Sequence, residues 1–172
     1  MKKLLSLAGV MTICCCCTAQ TYFSFVPSLT NSPGTLAEKA NFSFEAGRQW
    51  DCFSLGADIG KTSLGKTEGR DTTMYLEVRP NLNVFQQGKF TNTLTPGIGV
   101  IFNSKENFMT ELTSGIEYAY SPWWHLNIYF GQYYYSGRTS ASNVSFFGLS
   151  IMYFLKPYTP GALLENNKAK DK

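Results

Sequence analysis

The side chains of this sequence that could act together chemically are mostly acids, spread along the middle of the chain with two cationic partners. The acids are Glu45, Asp58, Glu77, Glu111 and Glu117, and the cations are Arg79 and Lys39. An Arg guanidinium is a planar fork that can bond more than one carboxylate. The set therefore predicts an ion-pair network around Arg79 that stitches an interior together. Because acids outnumber cations, a narrow acid-lined path for cations stays open as the alternative.

Residues for covalent, acid–base or metal chemistry are sparse. His125 is the only histidine, and a catalytic triad would need a nucleophile beside it, which the neighbouring sequence does not offer. Four of the five cysteines stand together as Cys14–Cys17, which leaves Cys52 as the only one further along the chain. A single cysteine forms neither a disulfide framework nor a thiolate metal cluster. The sequence thus predicts no catalytic, cofactor-binding or metal-binding residue.

Alternation of polar and apolar residues indicates which elements position the charged set. In Thr72–Phe85, Leu76 and Val78 point to one face and Glu77 and Arg79 to the other, because strand side chains alternate. The pattern recurs in eight candidate strands: Thr21–Leu29, Lys39–Gly47, Trp50–Gly60, Thr72–Phe85, Lys89–Phe102, Phe108–Tyr120, Trp124–Tyr135 and Asn143–Leu155.

The lengths and faces of these strands favour a membrane barrel. Most reach the roughly 9–11 residues that a tilted transmembrane strand needs. No Asp, Glu, Lys or Arg falls in the apolar set of the second to eighth strands, and a Lys or Arg facing mid-bilayer lipid costs about 2–4 kcal/mol. We therefore predict an all-β fold, an eight-stranded antiparallel up-and-down transmembrane β-barrel, with the charged set inside its narrow interior.

The connections fit the same prediction, since short turns alternate with longer loops as in transmembrane barrels. The predicted short turns are Arg48–Gln49, Gln86–Gly88 and Ser121–Trp123, and the longer loops are about Thr30–Glu38, Lys61–Asp71, Asn103–Asn107 and Ser136–Ser142. Tyr and Trp residues near both sets of connections suit the two membrane interfaces.

Two prolines stand inside strands of this predicted barrel, where no free edge can accommodate a missing backbone donor. The expected pairing brings Pro80 and Pro96 close together on adjacent strands. We predict a β-bulge at that place.

The ends of the chain predict processing and export. Residues 1–19 have Lys2 and Lys3, an uncharged run from Leu4 to Cys17, and small residues before Gln20, as in a cleaved signal peptide. The run is shorter than the roughly 20 residues of a spanning helix; lipidation of a leader cysteine stays open. Residues 20–156 form the predicted barrel domain and residues 157–172 a polar periplasmic tail.

Composition excludes one class of partner. The net charge is +3, with both signs scattered along the chain and no run of Lys and Arg. Nothing therefore indicates a nucleic-acid-binding surface.

From Thr21 to Leu155 the strand pattern resembles the small eight-stranded outer-membrane proteins of the OmpX and OmpA transmembrane-domain type. The leader ending in Ala19-Gln20 looks like those of Bacteroidetes-type secreted proteins. The resemblance implies an outer-membrane location, contact with outer-membrane lipid and lipopolysaccharide, and insertion by the barrel-assembly machinery. The short outer loops and the tail after Leu155 depart from that pattern. Outer-membrane lipid A deacylases carry His-x-Ser, whereas this chain has His125-Leu126-Asn127 and lacks that nucleophile.

Three functional hypotheses follow. The first is a non-enzymatic integral outer-membrane protein with a structural or surface-interaction role. The second is a small channel or uptake component of the outer membrane. The third is a soluble periplasmic barrel that binds a small lipid in its centre as lipocalins do, and it requires the apolar faces to point inward.

Overall fold

The structure, a computed structural model, describes residues 19–31, 39–62, 73–102, 108–136 and 144–158. Nearly all of the predicted leader, most of the four longer predicted loops and the tail beyond Tyr158 lie outside these ranges. Among the described residues, no helix is both long and apolar enough to cross a membrane.

In these described ranges, eight antiparallel strands form one closed barrel in chain order, with β1 paired to β8. Each of these eight strands has a neighbour on both sides, which is the condition for placing a sheet in lipid. The predicted fold class is confirmed. The strands are β1 (Gln20–Asn31), β2 (Lys39–Trp50), β3 (Phe53–Thr62), β4 (Thr73–Gln87), β5 (Phe90–Ile101), β6 (Phe108–Ala119), β7 (Trp124–Ser136) and β8 (Val144–Phe154).

Apolar side chains cover the outside of this barrel and polar ones fill its middle. Leu76, Ile98 and Ile128 are 41%, 50% and 55% exposed, whereas Glu77 and Glu111 are 1% and 4% exposed. A water-soluble barrel would have the reverse arrangement. The hypothesis of a soluble, lipocalin-like lipid binder is therefore wrong, because its apolar faces would have to line the centre.

Three short connections, the start of β1 and the end of β8 lie at one end of the barrel, called the turn end below. The β2–β3 turn is Asp51–Cys52, not Arg48–Gln49 as predicted, since Trp50 pairs with Phe53. The predicted turn carries neither Gly nor Pro to stop the strand, and β2 continues through it. This extension puts Arg48 on the outer face, in a strand face predicted to hold no charge.

The β4–β5 turn is also shorter than predicted. Gln87 pairs with Phe90, so the turn is the two-residue Gly88–Lys89 and not the three residues Gln86–Gly88. Gly88 has a φ of +59°, a left-handed conformation that a residue with a Cβ adopts only at a cost. The register shifts between Asn83 and Phe85, which makes Val84 the extra residue of a bulge.

The two prolines are neighbours, as predicted, but the bulge is not at their position. Val78 pairs with Ile98 and Leu82 with Leu94 in one register, which sets Pro80 opposite Pro96 with the ladder interrupted between them. Pro80 keeps its pairing with Leu55 on β3, and Pro96 with Leu112 on β6. Both missing N–H donors therefore fall on the β4–β5 seam.

Aromatic side chains gather near the turn end, as the sequence predicts for a membrane interface. The rings of Trp50 and Phe53 stack with centroids 5.7 Å apart, and those of Trp124 and Tyr153 lie 4.7 Å apart. At the opposite end, Tyr134 faces out, but Tyr133 points inward and is buried.

Candidate functional site: a polar network inside the barrel

Arg79 on β4 is the centre of the interior network. Its Nη1 donates to Glu45 Oε2 on β2 at 2.8 Å, and its Nη2 donates to Glu111 Oε1 on β6 at 2.8 Å. The three side chains are largely buried. The exposed fraction of the side chain is 9% for Arg79, 11% for Glu45 and 1% for Glu111. One guanidinium thus links three strands, because its planar fork bonds two carboxylates.

Glycines on the strands beside Arg79 make this geometry possible. Gly56 on β3 pairs directly with Arg79. Gly97 occupies the corresponding position on β5, the strand on the other side of β4. A Cβ at Gly56 would overlap the Glu45 carboxylate, and one at Gly97 would overlap the Glu77 carboxylate. The Arg79 fork and the acids occupy the space that two side chains would otherwise fill.

Hydroxyl groups extend the network from the acids to the barrel wall. Tyr22 donates to Glu45, and Thr113 donates to Glu111 at 2.5 Å. Tyr75 donates to Asp58 Oδ2 at 2.6 Å. Buried carboxylates need such donors to offset lost hydration.

Glu77 is the least satisfied member of the predicted set. It pairs across strands with Asp58 on β3, and its carboxylate lies beside Gly97, next to Glu111. Among the described residues, neither Glu77 oxygen accepts a hydrogen bond, and the same holds for Asp58 Oδ1. Four acids therefore surround one arginine, and the interior carries surplus formal negative charge.

The two remaining predicted residues lie elsewhere. Glu117 belongs to a separate cluster near the turn end, where its Oε1 is 2.5 Å from His125 Nδ1. Lys39 begins β2 and pairs with Thr30 at the end of the barrel opposite the turns; its side chain is outside the described residues. The predicted acids thus divide between the Arg79 network and the Glu117–His125 pair, and Lys39 is at the opposite end of the barrel from that pair.

The Glu117–His125 pair is covered by aromatic rings that the sequence prediction did not include. The Phe154 ring lies 4.7 Å from the His125 ring and 4.9 Å from the Tyr158 ring. Tyr158 donates through its backbone N–H to Pro122 O at 2.7 Å and through its hydroxyl to Asp51 O at 3.2 Å. Phe154 and Tyr158 thereby close the turn end.

Tyr158 is the second residue of the predicted tail, yet it is buried in the barrel end. Burial raises the pKa of its hydroxyl well above the ordinary value, and the nearby Glu117 and Asp51 carboxylates add to the effect. The hydroxyl therefore stays a neutral donor. Tyr158 is the single aromatic residue in the sequence of the predicted tail, 157–172, and that was the available signal for this docking.

Little space remains inside the described part of the barrel. Apolar side chains, Val26, Tyr75, Ile101, Met109, Tyr129, Tyr133 and Phe146, pack on the side of Arg79 away from the turns. A cavity of about 30 Å³ adjoins Arg79 and Glu45, which is room for about one water molecule. In the described ranges, no three or more His, Cys, Asp or Glu side chains are arranged to hold a metal ion.

No protein-family model matches this chain, and no curated protein sequence does either. Solved structures do match in fold. Outer membrane protein H (OprH) from P. aeruginosa matches with a TM-score of 0.60 and 12% identity, covering 79% of this chain and 99% of that one.

Two other solved barrels match over similar lengths. The de novo designed TMB2.3 has a TM-score of 0.55 and 16% identity, with 81% of this chain and 97% of that one covered. Neisserial surface protein A has a TM-score of 0.50 and 12% identity, with 78% and 96% covered. At these identities the likeness is one of fold. This chain thus has the eight-stranded transmembrane β-barrel fold of small outer-membrane proteins.

Proposed function

We propose that this chain is a non-enzymatic integral outer-membrane protein with a structural or surface-interaction role. The observation that carries the proposal is the orientation of the wall, with apolar side chains outside and the Arg79 network inside. Such a wall is stable only where lipid covers it. The turn end faces the periplasm in this proposal, because the short turns of such barrels do.

The filled interior favours a structural role over transport. Arg79 crosses the middle of the barrel between Glu45 and Glu111, and the Phe154–Tyr158 contact covers the turn end. Ion-paired side chains that also accept hydrogen bonds from residues of the barrel wall form a rigid plug. Lipid and lipopolysaccharide around the wall, and the barrel-assembly machinery during insertion, are the partners that this role requires.

Fractionation and gel mobility test the proposal. The expressed protein should remain with outer membranes after carbonate extraction, and its unheated folded form should migrate differently from the boiled form. Release by carbonate into the soluble fraction would contradict membrane integration. Signal-peptide cleavage before Gln20 is read from the N-terminal sequence of the same material.

A second candidate function, a narrow cation path, is favoured by the surplus of acids and by the Glu77 oxygens without donors. Planar-bilayer recordings test it. Cation-selective conductance that disappears in Glu77→Gln or Glu111→Gln would support a channel. Silent bilayers containing barrels verified by gel mobility would support the structural role.

A further inference from the structure

The outer face of the barrel has a mainly apolar groove that extends from the start of β7 across β8, β1 and β2 to β3. Its volume is about 450 Å³, which is within the range of roughly 300–1,000 Å³ typical of small-ligand sites. The outward-facing residues that line it are Phe23, Phe25, Phe44, Ala46, Ala57, Ile59, Trp124, Ile151 and Tyr153, and the inward-facing Ser24 and Glu45 also border it.

The groove exists because two small residues meet in a wall of large ones. Ala46 pairs with Ala57 across β2 and β3, and Phe23 flanks Ala46 from β1. The Phe25 and Phe44 rings, with centroids 5.2 Å apart, form one wall. Both alanines face out, so the depression lies on the lipid side. A flexible apolar chain fits a depression of this kind.

A cation stands directly at the turn end of the groove. Arg48 is the next outward residue after Ala46 on β2, and its side chain is exposed. It pairs with Thr21 on β1, whose carbonyl accepts the backbone N–H of Leu155 at 2.9 Å. Lys156 follows Leu155 and is exposed too. The backbones of Arg48 and Leu155 are therefore about two strand spacings apart, roughly 10 Å, and Lys156 is the residue after Leu155.

Neither cation forms an ion pair with another described residue, since the ion pairs there join Arg79 and His125 to interior acids. The Trp124 and Tyr153 rings, half apolar and half polar in character, border the same end of the groove. Trp and Tyr favour the level of lipid headgroups. A guanidinium at that level binds phosphate oxygens through its fork.

We propose that this groove is a binding site for an anionic phospholipid of the leaflet at the turn end. An acyl chain lies over Ala46 and Ala57, and Arg48 and Lys156 bind the phosphate. The proposal rests on the membrane placement given above. At this site the protein binds anionic phospholipid selectively, whereas the rest of the outer wall contacts lipids without distinguishing their headgroups.

Native mass spectrometry of the full mature protein, released from detergent micelles, tests the site. The probes are phosphatidylglycerol and phosphatidylcholine with identical acyl chains. The wild type should retain phosphatidylglycerol preferentially, and Arg48→Gln should lower that retention about tenfold, the factor expected for loss of one charge-assisted hydrogen bond. Ala46→Trp, which fills the groove, should lower retention of both lipids.

Lys89→Gln is the matched control, because Lys89 is an exposed cation at the turn end in the β4–β5 turn, away from the groove. It should retain lipid as the wild type does. Heat-modifiable gel mobility of every variant reports separately whether the barrel is intact. If the wild type and all variants form intact barrels but none retains one lipid more than the other, the proposed site is wrong and the proposed function still holds.

Two further results would also overturn the proposal. Equal retention of the two lipids by the wild type would mean that the headgroup charge is not recognised. Retention of lipopolysaccharide that depends on Arg48, without retention of phosphatidylglycerol, would assign the groove to the other leaflet's lipid.

Discussion

Arg79 on β4 donates to Glu111 on β6 at 2.8 Å, although β5 lies between the two strands. The bond passes over Gly97, the β5 residue that pairs with Glu111 and has no side chain to block it. On the other side, Arg79 reaches Glu45 past Gly56 in the same manner. Each long contact thus depends on a glycine in the strand between.

Replacing Arg79 should destabilise the barrel strongly. Arg79→Met leaves Glu45 and Glu111 buried without their cation, and breaking a buried pair in this way costs about 3–5 kcal/mol. The free energy of unfolding is measured by urea titration in detergent micelles, with heat-modifiable gel mobility as the readout. Lys89→Met, a change of the same type at an exposed turn, should leave the midpoint nearly unchanged.

The triple variant Arg79→Met, Glu45→Gln, Glu111→Gln tests the cause of that loss. Removing the two orphaned charges should restore much of the stability, because an ion-paired network and a neutral one of similar volume are often comparable. A triple variant no more stable than Arg79→Met would mean that packing of the Arg79 side chain, and not its charge, is what matters.

Adding one methyl group beside the network should also be costly. Gly97→Ala pushes a Cβ into the Glu77 carboxylate, and overpacking of this kind costs about 1–3 kcal/mol. Combining it with Glu77→Ala should reduce the loss, since the second change empties the space that the first one needs. Urea midpoints of the two single variants and the double variant measure the coupling between these positions.

A charge on the outer wall tests lipid contact by depth. Ile98→Arg, in the middle of β5, should lower stability in phospholipid vesicles by about 2–4 kcal/mol. Gln87→Arg, beside the β4–β5 turn, should lower it by about 0–1 kcal/mol. Equal effects at the two positions would show that the wall does not cross a bilayer.

The Tyr158 contact should weaken in alkali. Because burial raises the pKa of the Tyr158 hydroxyl, its neutral form stabilises the folded state. That contribution is complete below the ordinary tyrosine pKa of about 10 and is lost progressively as pH rises above it.

Tyr158→Phe measures that contribution. It should cost about 0.5–1.5 kcal/mol at pH 8 through loss of the hydrogen bond to Asp51. The difference from the wild type should shrink at pH 11, in guanidinium titrations at both pH values. Tyr120→Phe, at an exposed position of the same end, should change neither value. A constant difference between pH 8 and pH 11 would contradict the buried, neutral hydroxyl.

The fold could be predicted from the sequence because a two-faced strand has only one stable orientation in lipid. Leu76 and Glu77 are neighbours in the chain, so the burial of one fixes the exposure of the other. The ends of strands were harder. Arg48 and Gln49 look like turn residues, but their backbones pair with Leu55 and Ser54, and cross-strand pairing overrides local preference there.

The interior site was only partly predictable. Alternation along the strands showed that Arg79, Glu45 and Glu111 face inward, and so placed them in one candidate set. Which acids reach Arg79 depends on the strand register and on the positions where glycine leaves space. Tyr158 could not be placed, since its burial comes from contacts with Pro122 and Asp51, two turn residues far away in the chain. The alternation of polar and apolar residues along strands does not predict the position of residues beyond the last strand.

Concentrating both prolines on one seam has a mechanical consequence. A closed cylinder resists opening only as well as its weakest line of hydrogen bonds, and here the facing Pro80 and Pro96 and the nearby Val84 bulge weaken the same line. The amides along β4 and β5 between these points should be the first in the wall to exchange with deuterium. If the barrel opens, under force or during insertion, we expect β4 and β5 to separate first.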